Sequence, residues 1–182
     1  MTAPESSELQ QLLETASRAE TESELERLFR LSIDLLCIAD YNGYFTRVNP
    51  AWEHVLGWRM EEMIAQPYAD FVHPDDRAAT AAESAKLAQG GEVISFENRY
   101  LCRDGTYKWL HWNAAPGRDR IFAAARDVTA RRSAERRLAA AHAVTSVLAE
   151  APTLDAATPR ILRAVCESLD WEAGAIWRAF AR

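Results

Sequence analysis

Residues 93–127 read VISFENRYLCRDGTYKWLHWNAAPGRDRIFAAARD. The runs Val93 to Leu101 and Tyr107 to Ala114 are joined by Arg103-Asp104-Gly105, a hairpin signal. Pro116-Gly117-Arg118-Asp119 then turns the chain into a third run, Ile121 to Arg126. Short connections of this kind place consecutive strands antiparallel, as in a meander. A strand's period of two puts Ile94, Phe96, Asn98 and Tyr100 on one face, with Asn98 its one polar member. A buried Asn needs partners, so Asn98 is either a ligand contact or a water-bridged core residue.

Two more strands lie upstream. Leu35 to Ala39 is a short apolar run, and Tyr44 to Val48 follows it after Asn42-Gly43, a two-residue turn whose positions both call for positive φ. Asn49-Pro50 reads as a helix start, with Asn as N-cap and Pro in the first turn. Trp52, Val55 and Leu56 point inward, and Gly57 closes that helix. Met60 to Ile64 adds a helical turn. His73-Pro74-Asp75-Asp76 opens a longer helix that stops at Gly90-Gly91. Two strands, short helices and three strands within about a hundred residues make an α+β domain with a five-stranded antiparallel sheet. The helices cover one face of that sheet. The other face also carries large apolar groups, and an N-terminal amphipathic helix is the candidate to cover it.

Helices flank the sheet domain on both sides. Residues 1–31 carry Leu9, Leu12, Leu13 and Ala16 on one stripe, restart at the capping box Thr21-Glu22-Ser23-Glu24, and continue with Leu25, Leu28 and Phe29. This stretch holds seven Glu against three Arg up to Arg30. Thr129 to Leu148 hold Arg131, Arg132, Arg136 and Arg137 with a single Glu135. Here Leu138, Ala141, Thr145 and Leu148 form a short heptad seam. Ala and Thr bury little area, so this seam is weak alone. After Ala151-Pro152-Thr153 another amphipathic helix presents Ile161, Leu162, Val165, Cys166 and Leu169, and Ala173 to Trp177 reads as a strand. One helix and one strand bury no core of their own, so this end is expected to be poorly packed or to borrow partners from another chain.

At 182 residues the chain holds one domain plus an extra piece, at about 150 residues per domain. Hydrophobic residues make up 48% and charged residues 26%, which excludes global disorder. The net charge of −6 argues against a nucleic-acid binder, since the one basic cluster reads as a solvated helix face. No apolar run approaches the ~20 residues of a membrane span, and the polar, acidic start is no signal peptide, so a cytoplasmic location is expected. Cys37, Cys102 and Cys166 lie far apart in apolar stretches and read as reduced thiols. His54, His73, His111 and His142 have no zinc-type spacing. No phosphate loop or nucleophile elbow is found, and catalysis by this chain is not expected.

The stretch from about Ser32 to Arg132 resembles a PAS (Per-Arnt-Sim) domain with a C-terminal PAC motif. The resemblance rests on Asp40-x-x-Gly43, Asn49-Pro50-Ala51-Trp52, Leu56-Gly57-Trp58, Phe71-Val72-His73-Pro74-Asp75-Asp76-Arg77, Tyr100-x-x-Arg103-Asp104-Gly105-Thr106-Tyr107-Lys108-Trp109, and Arg126-Asp127-Val128-Thr129-Ala130-Arg131-Arg132. It implies four segments: an N-terminal helical segment, 1–31; the PAS domain, 32–129; a signalling linker helix, 130–150; and at 151–182 the incomplete start of a GAF-like domain. The last resemblance rests on Leu154-Asp155, Ile161-Leu162 and Leu169-x-Trp171-x-x-Gly174-Ala175-Ile176-Trp177.

The resemblance also implies functional residues. The family cavity lies between sheet and helices, and Trp52, Met63, Phe71, Phe96, Asn98 and Trp112 are its candidate lining. The same cluster can equally be packed core. Flavin-adduct relatives carry a cysteine before the long helix, where this chain has Phe71-Val72-His73-Pro74-Asp75. Heme-binding relatives place a His on that helix, and residues 75–89 contain none. No cofactor is therefore expected, His73 reads as a cap, and the small-molecule ligand is unspecified. Asp127-Val128-Thr129 is the joint to the exit helix, with Asp127 as the capping residue. His142 lacks the acid and proline that follow a kinase phospho-acceptor. The implied function is a sensory and dimerisation module of a multidomain signalling protein, a histidine kinase above all, with a downstream output domain as partner. The alternative is a ligand-free interaction spacer. Either way the chain is expected to be a homodimer, through Leu25, Leu28 and Phe29 and through the Leu138–Leu148 seam.

Overall fold

A computed structural model describes residues 20–169 and 173–175. The chain divides into two compact units that meet in sequence between Asp127 and Val128. The first begins with a helix over residues 20–31, α1. It is already helical at residue 20, so Thr21 lies inside the helix and does not restart it. Leu9 to Ala16 lie outside the described residues. Then follow β1 (Leu35–Ala39), β2 (Phe45–Val48), α2 (Ala51–Leu56), α3 (Met60–Ile64), α4 (Tyr68–Phe71), a 3-10 turn (Pro74–Asp76), α5 (Arg77–Ala88), β3 (Val93–Leu101), β4 (Tyr107–Pro116) and β5 (Ile121–Asp127).

The five strands form one antiparallel sheet in the order β2-β1-β5-β4-β3. It is not a simple meander. The helical excursion lets the first hairpin return beside the last strand, so β1 pairs with β5 from Leu35↔Ala125 to Ala39↔Ile121. β1 shows the alternation of a half-covered strand: Leu35, Cys37 and Ala39 are buried and Leu36 and Ile38 half-buried.

Two turns differ from expectation in an instructive way. In the first hairpin Gly43 alone takes positive φ, at 94°. The turn is organised by Asp40, whose Oδ1 accepts from the amides of Asn42 and Tyr44 at 3.0 and 2.9 Å. A carboxylate that satisfies two amides locally removes the need for a two-residue turn. In β3 the register shifts between Ile94 and Phe96, and Ser95 sits there at φ 63°. This bulge flips the strand. Ile94 leaves the face it was expected to share and is 74% exposed, whereas Val93, Asn98 and Tyr100 are buried.

The core lies between the sheet and α2–α5. Trp52 is fully buried, with ring centroids 5.0 Å from Phe45, 5.9 Å from Tyr100 and 5.8 Å from Trp112. Its indole N–H donates to the Leu36 carbonyl at 3.0 Å. Asn49 is not the expected side-chain cap of α2, whose N-cap is Pro50. Its side chain turns the other way and is fully buried. It accepts from the Leu36 amide at 3.0 Å and donates to the carbonyls of Phe29, Ser32 and Asp34. Asn49 thereby ties the end of α1 to β1. A buried Asn beside three carbonyls is stabilised more by bonding to them than by capping one amide.

In the second unit, α6 (Thr129–Glu150) and α7 (Leu154–Leu169) form a helical hairpin. Thr153 Oγ1 accepts from the Ala156 amide at 3.2 Å and starts α7. Ala140 and Ala157 are buried, and Ala143, Val144 and Val147 are half-buried. The C-terminal helix thus finds its partner in its own chain, not in another as expected. The reason is that α6 carries a second face, offset from the Leu138–Leu148 seam, made of small residues that admit close packing. The expected strand lies outside the described residues except at 173–175, which are irregular. Among the described residues, no helix is long and apolar enough to cross a membrane.

Candidate functional site

The inner face of the sheet and α5 border a half-open cavity of about 70 Å³. β1 contributes Cys37, β2 Phe45, α4 Tyr68, α5 Thr80 and Ser84, and β3–β4 contribute Phe96, Asn98, Tyr100 and Trp112. Of the residues expected there, Phe96, Asn98 and Trp112 line it. Trp52, Met63 and Phe71 do not; all three are packed into the core. The residues not anticipated are Cys37, Tyr68, Thr80, Ser84 and Tyr100. Thr80 and Ser84 carried a legible signal, two hydroxyls at i, i+4 on one face of an otherwise alanine-rich helix.

Asn98 has a protein partner at each end of its amide. Its Oδ1 accepts from the Trp112 indole at 2.7 Å, and its Nδ2 donates to Thr80 Oγ1 at 3.0 Å. Thr80 in turn donates to the Asp76 carbonyl at 2.8 Å. Ser84 Oγ donates to the Thr80 carbonyl at 3.0 Å and lies 3.1 Å from the Tyr68 hydroxyl. No buried side-chain nitrogen or oxygen among the described residues lacks a partner. Burial pushes the Tyr100 hydroxyl and the Cys37 thiol well above their ordinary ranges, so both stay protonated and neutral.

This polar chain reaches the surface at Asp76. Asp76 accepts from the Arg99 guanidinium at 2.8 and 2.7 Å and from the Arg99 amide at 2.8 Å. His73 caps the 3-10 turn, accepting from the Asp75 amide, and stacks edge-on with Tyr107 at 4.6 Å. The side-chain bond from Arg99 holds the Asp76 carboxyl below the ordinary aspartate range, against the opposing effect of burial. A carboxyl depressed by folding stabilises at neutral pH, and this contribution is lost as pH falls below about 3.9 and through the depressed value. Asp76→Asn is therefore expected to cost ~2 kcal/mol at pH 7, judged by hydrogen bonds to a charged group. Denaturation midpoints of parent and variant should converge in acid.

The outer face holds a second feature. α1 is fixed to the domain by the Glu26–Arg47 ion pair, by Arg47 over the Phe29 ring at 4.4 Å, and by Asn49. It borders the outer face without sealing it. A groove of about 1100 Å³ remains between α1 and the strands, lined by Leu25, Leu28, Phe29, Leu36, Ile38 and Phe122 among others. Leu25 is 60% and Leu28 66% exposed.

At the sheet's exit, Asp127 pairs in register with Leu110 and forms an ion pair with Lys108 at 3.1 Å. The N-cap of α6 is Val128, whose side chain makes no cap bond. The expectation that Asp127 is the cap residue is thus corrected by one position, because the β4–β5 ladder runs through Asp127. On α6, Leu138, Ala141, Thr145 and Leu148 are all exposed, so the expected seam is open.

Residues 45–121 match a family model described as PAS fold. A domain of the sensory box sensor histidine kinase/response regulator from Geobacter sulfurreducens is 25% identical, with a TM-score of 0.54 over 59% of this chain and 94% of that one. The PAS domain of an HTR-like protein from Haloarcula marismortui is also 25% identical, with a TM-score of 0.54 over 63% of this chain and 97% of that one. An uncharacterized protein of Sinorhizobium fredii, y4lL, is 32% identical over 80 residues, 44% of this chain. The matched stretch spans 10% of that protein's length.

Proposed function

We propose that this chain carries a PAS domain, a sensory module of signalling proteins, and that it senses and dimerises within a multidomain protein, passing a change in the sheet to α6. The observation that carries the reading is the exposed apolar stripe of α1 beside an open groove on the same outer face. A stripe and a groove on one surface are self-complementary, as an isologous dimer requires. The occupant of the groove is α1 of a second copy. The exposed Leu138–Leu148 seam of α6 gives the second unit a dimer contact of its own.

The output in this reading is a histidine kinase, supported by the similarity to a domain of a sensor histidine kinase/response regulator. Residues 151–182 begin a GAF-like domain, and the chain itself is no enzyme. The relay runs from β5 through Asp127, Val128 and Thr129, because a single residue separates the last strand from α6. The Lys108–Asp127 pair fixes the end of that strand to β4. In the longer protein, Asp127→Ala is expected to change resting output, stimulus dependence, or both. Arg118→Ala, in the exposed β4–β5 turn, should change neither. An Asp127→Ala protein that folds, dimerises and signals like the parent would sink the relay.

A further inference from the structure

We propose that Asn42, in the turn between β1 and β2, is a site of spontaneous covalent modification, where the side-chain amide closes on the Gly43 backbone nitrogen and opens again to aspartate or isoaspartate. The chemistry is internal to the chain. The Gly43 nitrogen attacks Asn42 Cγ and forms a C–N bond. The Cγ–Nδ2 bond breaks, and Nδ2 leaves as ammonia with the proton given up by the Gly43 amide. Water then adds to one of the two carbonyls of the resulting cyclic imide. Opening at Cγ gives aspartate. Opening at the main-chain carbonyl gives isoaspartate, whose chain runs through the former side chain. Glycine at the next position makes the ring accessible, since it has no Cβ to crowd the attacking nitrogen.

The chain has four asparagines, and Asn42 alone precedes a glycine. Asn42 is exposed. The Gly43 amide reaches the Asp40 carbonyl at only 3.4 Å, past the ordinary ~2.7–3.2 Å of such bonds, so the attacking nitrogen is weakly held. The leaving Nδ2 is held as weakly, 3.4 Å from Asp40 Oδ2. The other asparagines are closed off. Asn49 is buried and precedes Pro50, which has no N–H to attack with. Asn98 is buried, and the next amide, that of Arg99, donates to Asp76 at 2.8 Å. Asn113 is fixed in the ladder between Ile94 and Ala124, and its Oδ1 accepts from the Ser95 amide at 3.2 Å. At the β3–β4 turn, Gly105 donates to the Cys102 carbonyl at 3.0 Å, and the Asp104 side chain, bonded by Thr106, has no amide to lose. The product bears on the fold. The Gly43 carbonyl accepts from the Tyr68 amide at 2.9 Å and Tyr44 bridges to Pro67, so this turn anchors the start of α4. Isoaspartate lengthens the main chain within the turn, and aspartate sets a second carboxylate against Asp40. Either loosens that anchor.

Ageing the folded 182-residue chain in mildly alkaline buffer tests this, read by mass spectrometry of its tryptic fragments. Fragment 31–47 is expected to gain the mass difference between an amide and an acid, and to split into two isomers at residue 42. The fragments that carry Asn98 and Asn113 should keep their masses. The gain should quicken as pH rises, because the attacking nitrogen must lose its proton. In the converted chain the Tyr68 amide should lose protection from hydrogen exchange. Asn42→Gln, which would have to close a larger ring, should show neither change. If that variant does not fold, Asn42→Ser, with no amide to lose, serves in its place. No mass gain at residue 42 in the folded chain, a gain there only after unfolding in urea, or an equal gain at Asn113 would overturn the proposal. Unaltered Tyr68 protection in the converted chain would overturn its consequence for α4.

Discussion

Replacing Asn49 by Asp should destabilise the domain more than replacing it by Ala, although Asp is the closer mimic in shape. Asn49 lies fully buried with one acceptor and three donor contacts. Ala removes the partner of the Leu36 amide and of the Phe29 and Ser32 carbonyls, while Asp34 keeps the Ser32 hydroxyl, at about 1–3 kcal/mol for groups left unsatisfied. Asp keeps the contact to the Leu36 amide but turns a carboxylate oxygen toward three carbonyl oxygens. It must carry a buried charge or take up a proton, and either costs more than an empty space. Urea midpoints should therefore fall in the order parent, Asn49→Ala, Asn49→Asp. The Asp variant should also lose protection of α1 amides in hydrogen exchange. An Asp variant as stable as the parent would contradict this account of the α1–β1 junction.

Trp52→Ala should cost about 3–5 kcal/mol, the range for removing a large aromatic side chain from a core. Trp52 touches an aromatic group from each of β2, β3 and β4 and also donates to β1, so its removal opens the centre of the packing. Trp52→Phe should cost less, since the ring contacts survive and only the Leu36 bond is lost. Ile33→Ala, at a residue 87% exposed, should stay within about 0.5 kcal/mol of the parent. Denaturant unfolding checks all three. A loss below about 1 kcal/mol at Trp52 would mean that the site relaxes around the gap.

The strands were legible because their signals are local. Alternation, the Gly105 turn and the Gly57 helix stop each depend on a few neighbouring residues. The strand order was less so, since the β1–β5 pairing joins residues some ninety positions apart and has no local marker. Ile94 shows a different limit. Counting by twos placed it inside, and one bulge at Ser95 reversed it. Asn49 and Asp127 were assigned cap roles because both types favour caps. Three carbonyls and an amide hold the Asn49 side chain instead, and Asp127 lies in β5, one position before the cap, where it pairs with Lys108. The cavity lining was half legible. Aromatic character picked out Phe96 and Trp112, but could not separate them from Trp52 and Phe71, which sit on α2 and α4 and pack into the core. Cys37, Thr80 and Ser84 are small, and small residues are what leave room for a cavity.

The basic start of α6 was read as a solvated helix face, and the Leu residues of α1 and α6 as seams. Exposure of Leu25, Leu28, Leu138 and Leu148 fits that reading within a single chain. Sedimentation equilibrium of the 182-residue chain over a range of micromolar concentrations tests the central claim most directly. The account predicts a mass of twice 20.4 kDa, reduced toward the monomer by Leu25→Glu with Leu28→Glu. A mass of 20.4 kDa for the unaltered chain across that range would contradict it.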